Sequence, residues 1–560
     1  MKKKLQRIDA EEWFCIAVFI FASLFFFYSI YPVIFGTHDD MRNYTLVRRS
    51  ELINNAIHSA KCGRISHLWN HLLLGFPFIL NKVWFYKLIA YSSVLFDIGS
   101  MCWFCTKYIN RHVAWLSASA FMAFATISPN HNLFISYAFC HQIPIGLFFI
   151  SLHLFLKSLD KHKWQYTIGS CILFLFCCMI YEAFIPFLIV FAASAAIKPV
   201  KEIKSFSKFI LDIIKSLIPL TITALAYVAV YKLWQHFYPP SYAGTELYLD
   251  EPFVSMKAFF TFPFAIFPLY QVARVSDTSP VASIYSLTIP DFIKAFLITA
   301  STAIIIPKTK GKIKTPTMLV VLITGIFIPN LLTCVSKQHL LAFKNGAIEY
   351  VSSFYSYFFV ILFVCLTTCI LYGCFKDKNL RITYLSIICC LTFASSLFAD
   401  MNNDHWKTHY ETLDRRYKNF DKTVSSDEIT DCDKNWQIYA PDNGGIHYQE
   451  RYTLDYLGIY DDTPVSSYKS KDSDLSSDLD TMCIRSDIQF LLMTAGETNS
   501  VLNSDKITII TILPNIFDIT LYTDKGNTVT YNNIHDGDVI SSGDSFDFDM
   551  TKRPEVSLVK

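Results

Sequence analysis

Between Trp13 and Phe35 the chain has no charged side chain, and about 20 such residues make one helix that crosses the hydrocarbon of a bilayer. In lipid every backbone N–H and C=O must be satisfied within the segment, which leaves a helix as the form for a run of this length. Further apolar runs follow at 83–105, 112–128, 143–157, 166–180, 183–197, 209–233, 292–307, 317–334, 351–374 and 382–399. Several are short, and 166–180 with 183–197 can also be read as one bent re-entrant pair. The pattern predicts an α-helical polytopic membrane protein of about 11 transmembrane helices. Composition agrees, since 52% of the 560 residues are hydrophobic and 17% charged, too apolar for a soluble chain of this size. A net charge of +2 gives no reason to expect a nucleic-acid partner.

Charge sets the expected orientation. The first run follows MKKKLQR and has no small-residue cleavage site, so it reads as a retained helix with its N-terminus in the cytoplasm. Every second connection is short and basic: Lys107 and Arg111; Lys157, Lys161 and Lys163; Lys198 to Lys208; Lys308 to Lys314; Lys376 to Arg381. All fall on the N-terminal side under the positive-inside rule. The alternate connections, richer in Tyr, His, Asp and Pro, then face outward, as does everything after residue 399. Residues 1–399 read as the membrane domain. Residues 400–560, where acidic side chains outnumber basic ones about two to one, read as an exocytoplasmic mixed α/β domain. In that domain "KITIITIL", "IFDITLYT" and "NTVTYNN" alternate like strands. Cys432 and Cys483 would share an oxidising compartment there, and whether they pair is open. The cysteines of the apolar runs read as small core hydrophobes.

The outward connections hold the chemistry. "FGTHDDMRNYTLVRRS" places Asp39 and Asp40 just beyond the first run, with Arg42 close behind; "CGRISHLWN" adds Gly63-Arg64, and Lys82 ends the loop. "CCMIYEAFIPFLIV" sets Tyr181 and Glu182 inside about thirty apolar residues. A carboxylate at membrane depth costs roughly 3 kcal/mol unless a cavity or a cation meets it. "VSKQHLLAFKNGAIEY" contributes Lys337, His339 and Lys344 on the same side. Each has a bland reading: a solvated acid pair, an ion pair between spans for Glu182, a snorkelling Arg64, solvated lysines. No HExxH is present, and the glycosylation pattern Asn43-Tyr44-Thr45 abuts the acids and reads as chance. Convergence on one face favours an anion pocket with a base beside it.

An acid pair after the first span, a Gly-Arg about 25 residues later and a Tyr-Glu between two short spans resemble the GT-C superfamily of membrane glycosyltransferases. The likeness is nearest to bacterial members that glycosylate surface polysaccharides, such as the serotype-converting O-antigen glucosyltransferases. It covers roughly the first 200 residues by motif and the whole chain by topology. The resemblance implies inverting transfer of a hexose or pentose from a polyprenyl-phosphate donor to a surface glycan or lipid-linked acceptor, at the outer face of a bacterial plasma membrane. It also implies that the carboxylates Asp39 and Asp40 are catalytic and that one of them is the base, which one being open, with Arg64, Tyr181 and Glu182 at the substrate. Arg42, Lys82, Lys337, His339 and Lys344 join the substrate side from their place on the same face. Asp40 has two open readings: it raises the pKa of its neighbour by like-charge repulsion, or it binds a divalent cation.

Two other classes compete. A transporter or flippase of lipid-linked sugars would carry charges near mid-membrane and repeated halves; intramembrane charges here look few and gathered at the outer end, and no halves repeat. A surface scaffold would work through the acidic C-terminal domain.

Overall fold

The structure is a computed structural model. It describes residues 9–424 apart from 34, 49, 81, 129–130, 198–205, 242–243, 245, 269, 272–286, 314 and 349, and beyond 424 mainly the strand segments. Two compact units divide the chain, residues 1–407 and 408–560.

The first unit is helical. Helix α1 (Ala10–Ile30) begins with a capping box: the Asp9 carboxylate accepts the Glu12 amide at 3.0 Å, and the Glu12 side chain accepts the Asp9 amide at 3.2 Å. Short helices α2 (His38–Arg48), α3 (Leu52–Ala60) and α4 (His67–Gly75) fill the connection to α5 (Val83–Tyr108). Then come α6 (Arg111–Ala123), α7 (Ile143–Lys161), α8 (Trp164–Ile180), α9 (Leu188–Ala196), α10 (Phe206–Phe237) and α11 (Pro252–Thr261). The unit closes with α12 (Ile289–Lys308), α13 (Met318–Phe327), α14 (Lys337–Lys344), α15 (Val351–Cys374) and the first part of α16 (Lys378–Val424).

Among the described residues, seven helices are long and apolar enough to cross a membrane: α1, α5, α7, α10, α12, α15 and the apolar part of α16. The fold is that of a helical membrane protein. The eleven spans expected from apolar runs are not met, because a run does not reveal where its helix stops. Run 112–128 forms only the 13-residue α6. Its C-terminal carbonyls are taken by side chains from other helices: Lys294 reaches Ala123 O at 3.4 Å, and Asn403 and Asn402 each donate at 2.9 Å, to Ala125 O and Ile127 O. The Ile127 amide in turn donates to Asn403 Oδ1 at 2.9 Å. With its end groups satisfied this way, the chain leaves the helix without stranding backbone groups. Run 183–197 opens with a 3₁₀ segment containing Pro186, and run 317–334 is split by one containing Pro329.

One end of the bundle is pinned by charge. Lys308 Nζ lies 2.7 Å from Glu11 Oε1, Arg111 pairs with the buried Glu12, and Asn110 donates to Lys312 O at 3.1 Å. At the opposite end lie α2–α4, the 124–142 connection and the segments around 181–187 and 328–350.

In the second unit α16 runs on to Val424, followed, among the described residues, by the strands β1 (Trp436–Ala440), β2 (Val465–Ser470), β3 (Thr481–Ile484), β4 (Phe490–Thr494), β5 (Val501–Thr511), β6 (Phe517–Tyr522), β7 (Thr528–Ile534), β8 (Val539–Asp549) and β9 (Glu555–Leu558). They form a parallel β1–β2 pair, a four-stranded β3-β4-β5-β8 sheet and a three-stranded β7-β6-β9 sheet. Whether Cys432 and Cys483 pair lies outside the described residues.

Candidate functional site

The connection after α1 is placed by contacts far along the chain. Gly63 has φ +92°, and a Cβ there would lie 2.7 Å from Pro240 Cα; only glycine allows both the conformation and the approach. The Ser241 amide donates to Cys62 O at 3.1 Å and the Trp234 indole to Ala60 O at 2.8 Å, so the α3–α4 turn is docked on the end of α10. On the other side, Trp69 Nε1 donates to Met179 O at 2.7 Å and Asn70 Nδ2 to Ile180 O at 2.9 Å. These are last-turn carbonyls of α8 that have no partner inside the helix. The double docking sets Arg64 and Ser66 on Glu182: Arg64 Nη2 lies 2.9 Å from Oε2, and the Ser66 hydroxyl donates to Oε1 at 2.7 Å. Glu182, isolated in sequence, meets the cation its burial requires.

A cavity of about 350 Å³ opens beside this pair. Arg64, Tyr181, Glu182 and His339 line it, together with Tyr227, Tyr231 and Lys232 of α10 and Tyr350, while Ile185, Leu247 and Leu332 supply apolar wall. Burial, then the charge of Arg64 or neighbouring histidines, pushes His67 and His339 down to about 3. His71 and His141 fall to about 4, again chiefly by burial, with Arg42 adding to the first and Arg64 to the second. All four are neutral at pH 7, and the positive charge of the cavity wall comes from Arg64 and Lys232.

The acid pair divides in its roles. Asp40 is buried; its Oδ1 accepts the Tyr137 amide at 2.9 Å and its Oδ2 the Thr37 hydroxyl at 3.1 Å. Burial raises its pKa to about 7, with the adjacent Asp39 adding to the shift and the Tyr137 amide opposing it. With a donor on each oxygen, Asp40 braces the loop. Asp39 is only half-buried. Its Oδ2 accepts the Tyr137 hydroxyl at 2.6 Å, and His131 Nδ1 lies 2.6 Å from the same hydroxyl. Asn43 Nδ2 donates to Asp39 O at 2.7 Å and Asn43 itself is buried, so its glycosylation pattern is not a usable one.

Asp39 and Asp40 therefore stand outside the lining of the cavity but are joined to it by rings. His131 packs edge-on against Tyr350 at 5.1 Å, Tyr350 lies 3.9 Å from His339, and His141 bridges Tyr137 and Tyr181 at 5.4 and 5.6 Å. The other expected residues stay apart. Arg42 donates to Asn55 Oδ1 at 3.0 Å, and Lys82 is exposed at the start of α5. Lys337 pairs with Glu246 at 2.8 Å, and Lys344 pairs with Glu251. Among the described residues the group with metal-ligand spacing is Asp9, Glu12 and His112, at the opposite end of α1.

Sequence reasoning passed over His131, Tyr137 and His141. Their signal is "SPNHNLFISYAFCHQIP", polar and aromatic residues between two apolar runs. It also undercounted charges in the long helices. Lys87 and Asp97 of α5 are buried, and Lys294 of α12 pairs with Asp400 of α16. Lys87 donates to Val33 O, and Asp97 Oδ1 accepts the Gly146 amide at 3.0 Å, an orphan donor in the first turn of α7. No family model matches the chain, and no curated protein is significantly similar to it.

Proposed function

We propose that the protein is an inverting GT-C-type glycosyltransferase that moves a sugar from a polyprenyl-phosphate donor to a glycan or lipid-linked acceptor. The site end of the bundle faces outward across a bacterial plasma membrane, and the basic end, with Lys308, Lys312 and Arg111, faces the cytoplasm. The C-terminal domain is exocytoplasmic. The observation that carries the reading is the cavity: a fixed guanidinium beside an acid, an apolar wall for a prenyl chain, and a half-buried carboxylate reached through a short run of rings.

In the proposed step the acceptor hydroxyl gives its proton to Asp39 as its oxygen bonds to the anomeric carbon. The bond from that carbon to the phosphate oxygen breaks on the opposite side, and its electron pair stays on the phosphate. Arg64, whose planar fork can serve Glu182 and a phosphate oxygen together, stabilises the charge that develops there. Asp40 holds the Tyr137 loop. The test is transfer from a panel of polyprenyl-phosphate hexoses and pentoses by purified protein in liposomes. Asp39→Asn is nearly isosteric and should lower turnover by about 10²- to 10⁴-fold. Near-normal turnover of Asp39→Asn would sink the assignment of the base.

One observation favours a second reading, a flippase of lipid-linked sugars: Asp97 is buried in the middle of a long helix, where ionisable groups mark translocation paths. Movement of a fluorescent polyprenyl-phosphate sugar across the liposome, lost in Asp97→Asn and kept in Asp39→Asn, would decide for it.

A further inference from the structure

The 131–139 loop is built at a cost. His131, Tyr137 and Phe139 have φ of +51°, +52° and +68°, a region that non-glycine residues adopt rarely and only where the surroundings hold them there. The surroundings over-determine the loop. Asn132 donates to Thr126 O at 2.9 Å and accepts the Phe134 amide at 3.0 Å; Gln142 donates to Leu133 O at 2.6 Å and accepts the Phe139 amide at 2.9 Å. Asp40 takes the Tyr137 amide itself. A tyrosine that only filled space would need none of this. What the conformation achieves is two 2.6 Å contacts in series on one hydroxyl.

We propose, on the glycosyltransferase reading above, that Tyr137 and His131 are positioning residues for Asp39. The Tyr137 hydroxyl donates to Asp39 Oδ2, so its oxygen accepts from His131, and that fixes the imidazole with its proton on Nδ1. The chain His131 to Tyr137 to Asp39 sets which way the carboxylate faces. It starts on the cavity wall, since the His131 ring abuts Tyr350, which lines the cavity with His339. The orientation of the base is thereby tied to the place where the donor sits.

The experiment uses full-length protein in liposomes with whichever polyprenyl-phosphate sugar of the panel the wild type turns over. Tyr137→Phe and His131→Leu should each lower kcat about tenfold or more while the donor KM stays within about twofold, because orientation of the reacting group is lost and donor binding is not. His131→Asn should restore most of the rate, since its amide offers an N–H near the position of Nδ1 and asparagine tolerates the left-handed backbone. Wild-type kcat in Tyr137→Phe would overturn the proposal. If that variant inserts poorly, equal rates for His131→Leu and His131→Asn would overturn it. A readout independent of turnover separates this proposal from the reading it rests on. The carboxylate stretch of Asp39, isolated by subtracting the infrared spectrum of Asp39→Asn, should shift in Tyr137→Phe and His131→Leu and hold in His131→Asn. No shift in any of the three overturns the chain even if transfer is found; a shift without transfer from any donor leaves the chain standing and removes the reaction.

Discussion

Asp40 is the residue whose environment speaks most directly to pH. Its pKa is raised to about 7 by burial and by Asp39, against about 3.9 for an unfolded aspartate. Between those values the folded state binds more proton than the unfolded one, so stability falls as pH rises through that window. The contribution is complete below about 3.9 and lost as the pH passes about 7. Asp40→Asn keeps the shape and cannot titrate, so its melting temperature in detergent should be flatter than that of the wild type between about pH 4 and 7. Parallel curves for the two proteins would show that Asp40 is not the titrating group. At this scale the sequence was half legible. "HDD" announced an acid pair but not which acid is buried, because that depends on an amide 97 residues away. Glu182 announced a need for a cation, and Arg64 meets it. Lys337 and Lys344 looked available and are spent on Glu246 and Glu251, acids in a connection the apolar pattern does not describe.

At the level of elements, α2–α4 are too short to hold their shape alone; helices under about 12 residues are marginal in water without packing. Their geometry comes from the docking of the α3–α4 turn and of α4. Gly63→Ala forces a Cβ into Pro240 at a left-handed position, so it should destabilise by roughly 1–3 kcal/mol. Trp69→Phe, which keeps a smaller aromatic ring but gives up the indole N–H and its hydrogen bond to Met179 O, leaves that carbonyl without its partner and should also cost roughly 1–3 kcal/mol. Thermal unfolding of both variants checks the two losses; a Gly63→Ala protein as stable as wild type would show that the turn can be re-set. The Gly-Arg pair was visible in sequence, but the reason for the glycine was not, since Pro240 lies far along the chain. The apolar runs likewise marked the helices while hiding their ends, because what stops α6 is a lysine and two asparagines contributed by other helices.

For the whole molecule, the alternation of basic and non-basic connections agrees with the division of the bundle into two ends, Lys308 and Lys312 at one and α14 with its neighbours at the other. Single cysteines at Lys312 and at Lys344, in a background freed of reactive thiols, should label from opposite sides of intact cells with a membrane-impermeant maleimide, Lys344→Cys from outside. Labelling of both from one side would refute the orientation and with it the outward-facing site.

The way α6 ends has a consequence for how the protein is made. Ile127 exchanges hydrogen bonds with Asn402 and Asn403, some 275 residues later, and the strained stretch bearing His131 and Tyr137 begins just beyond. At about 5–20 residues per second, the ribosome needs on the order of half a minute to deliver those asparagines. During that interval the carbonyls of residues 125 and 127 must find other partners, water or the insertion machinery, since lipid offers none. Chains stalled before residue 400 should therefore leave the 124–142 segment open to added protease, and chains long enough for Asn403 to have left the ribosome should protect it.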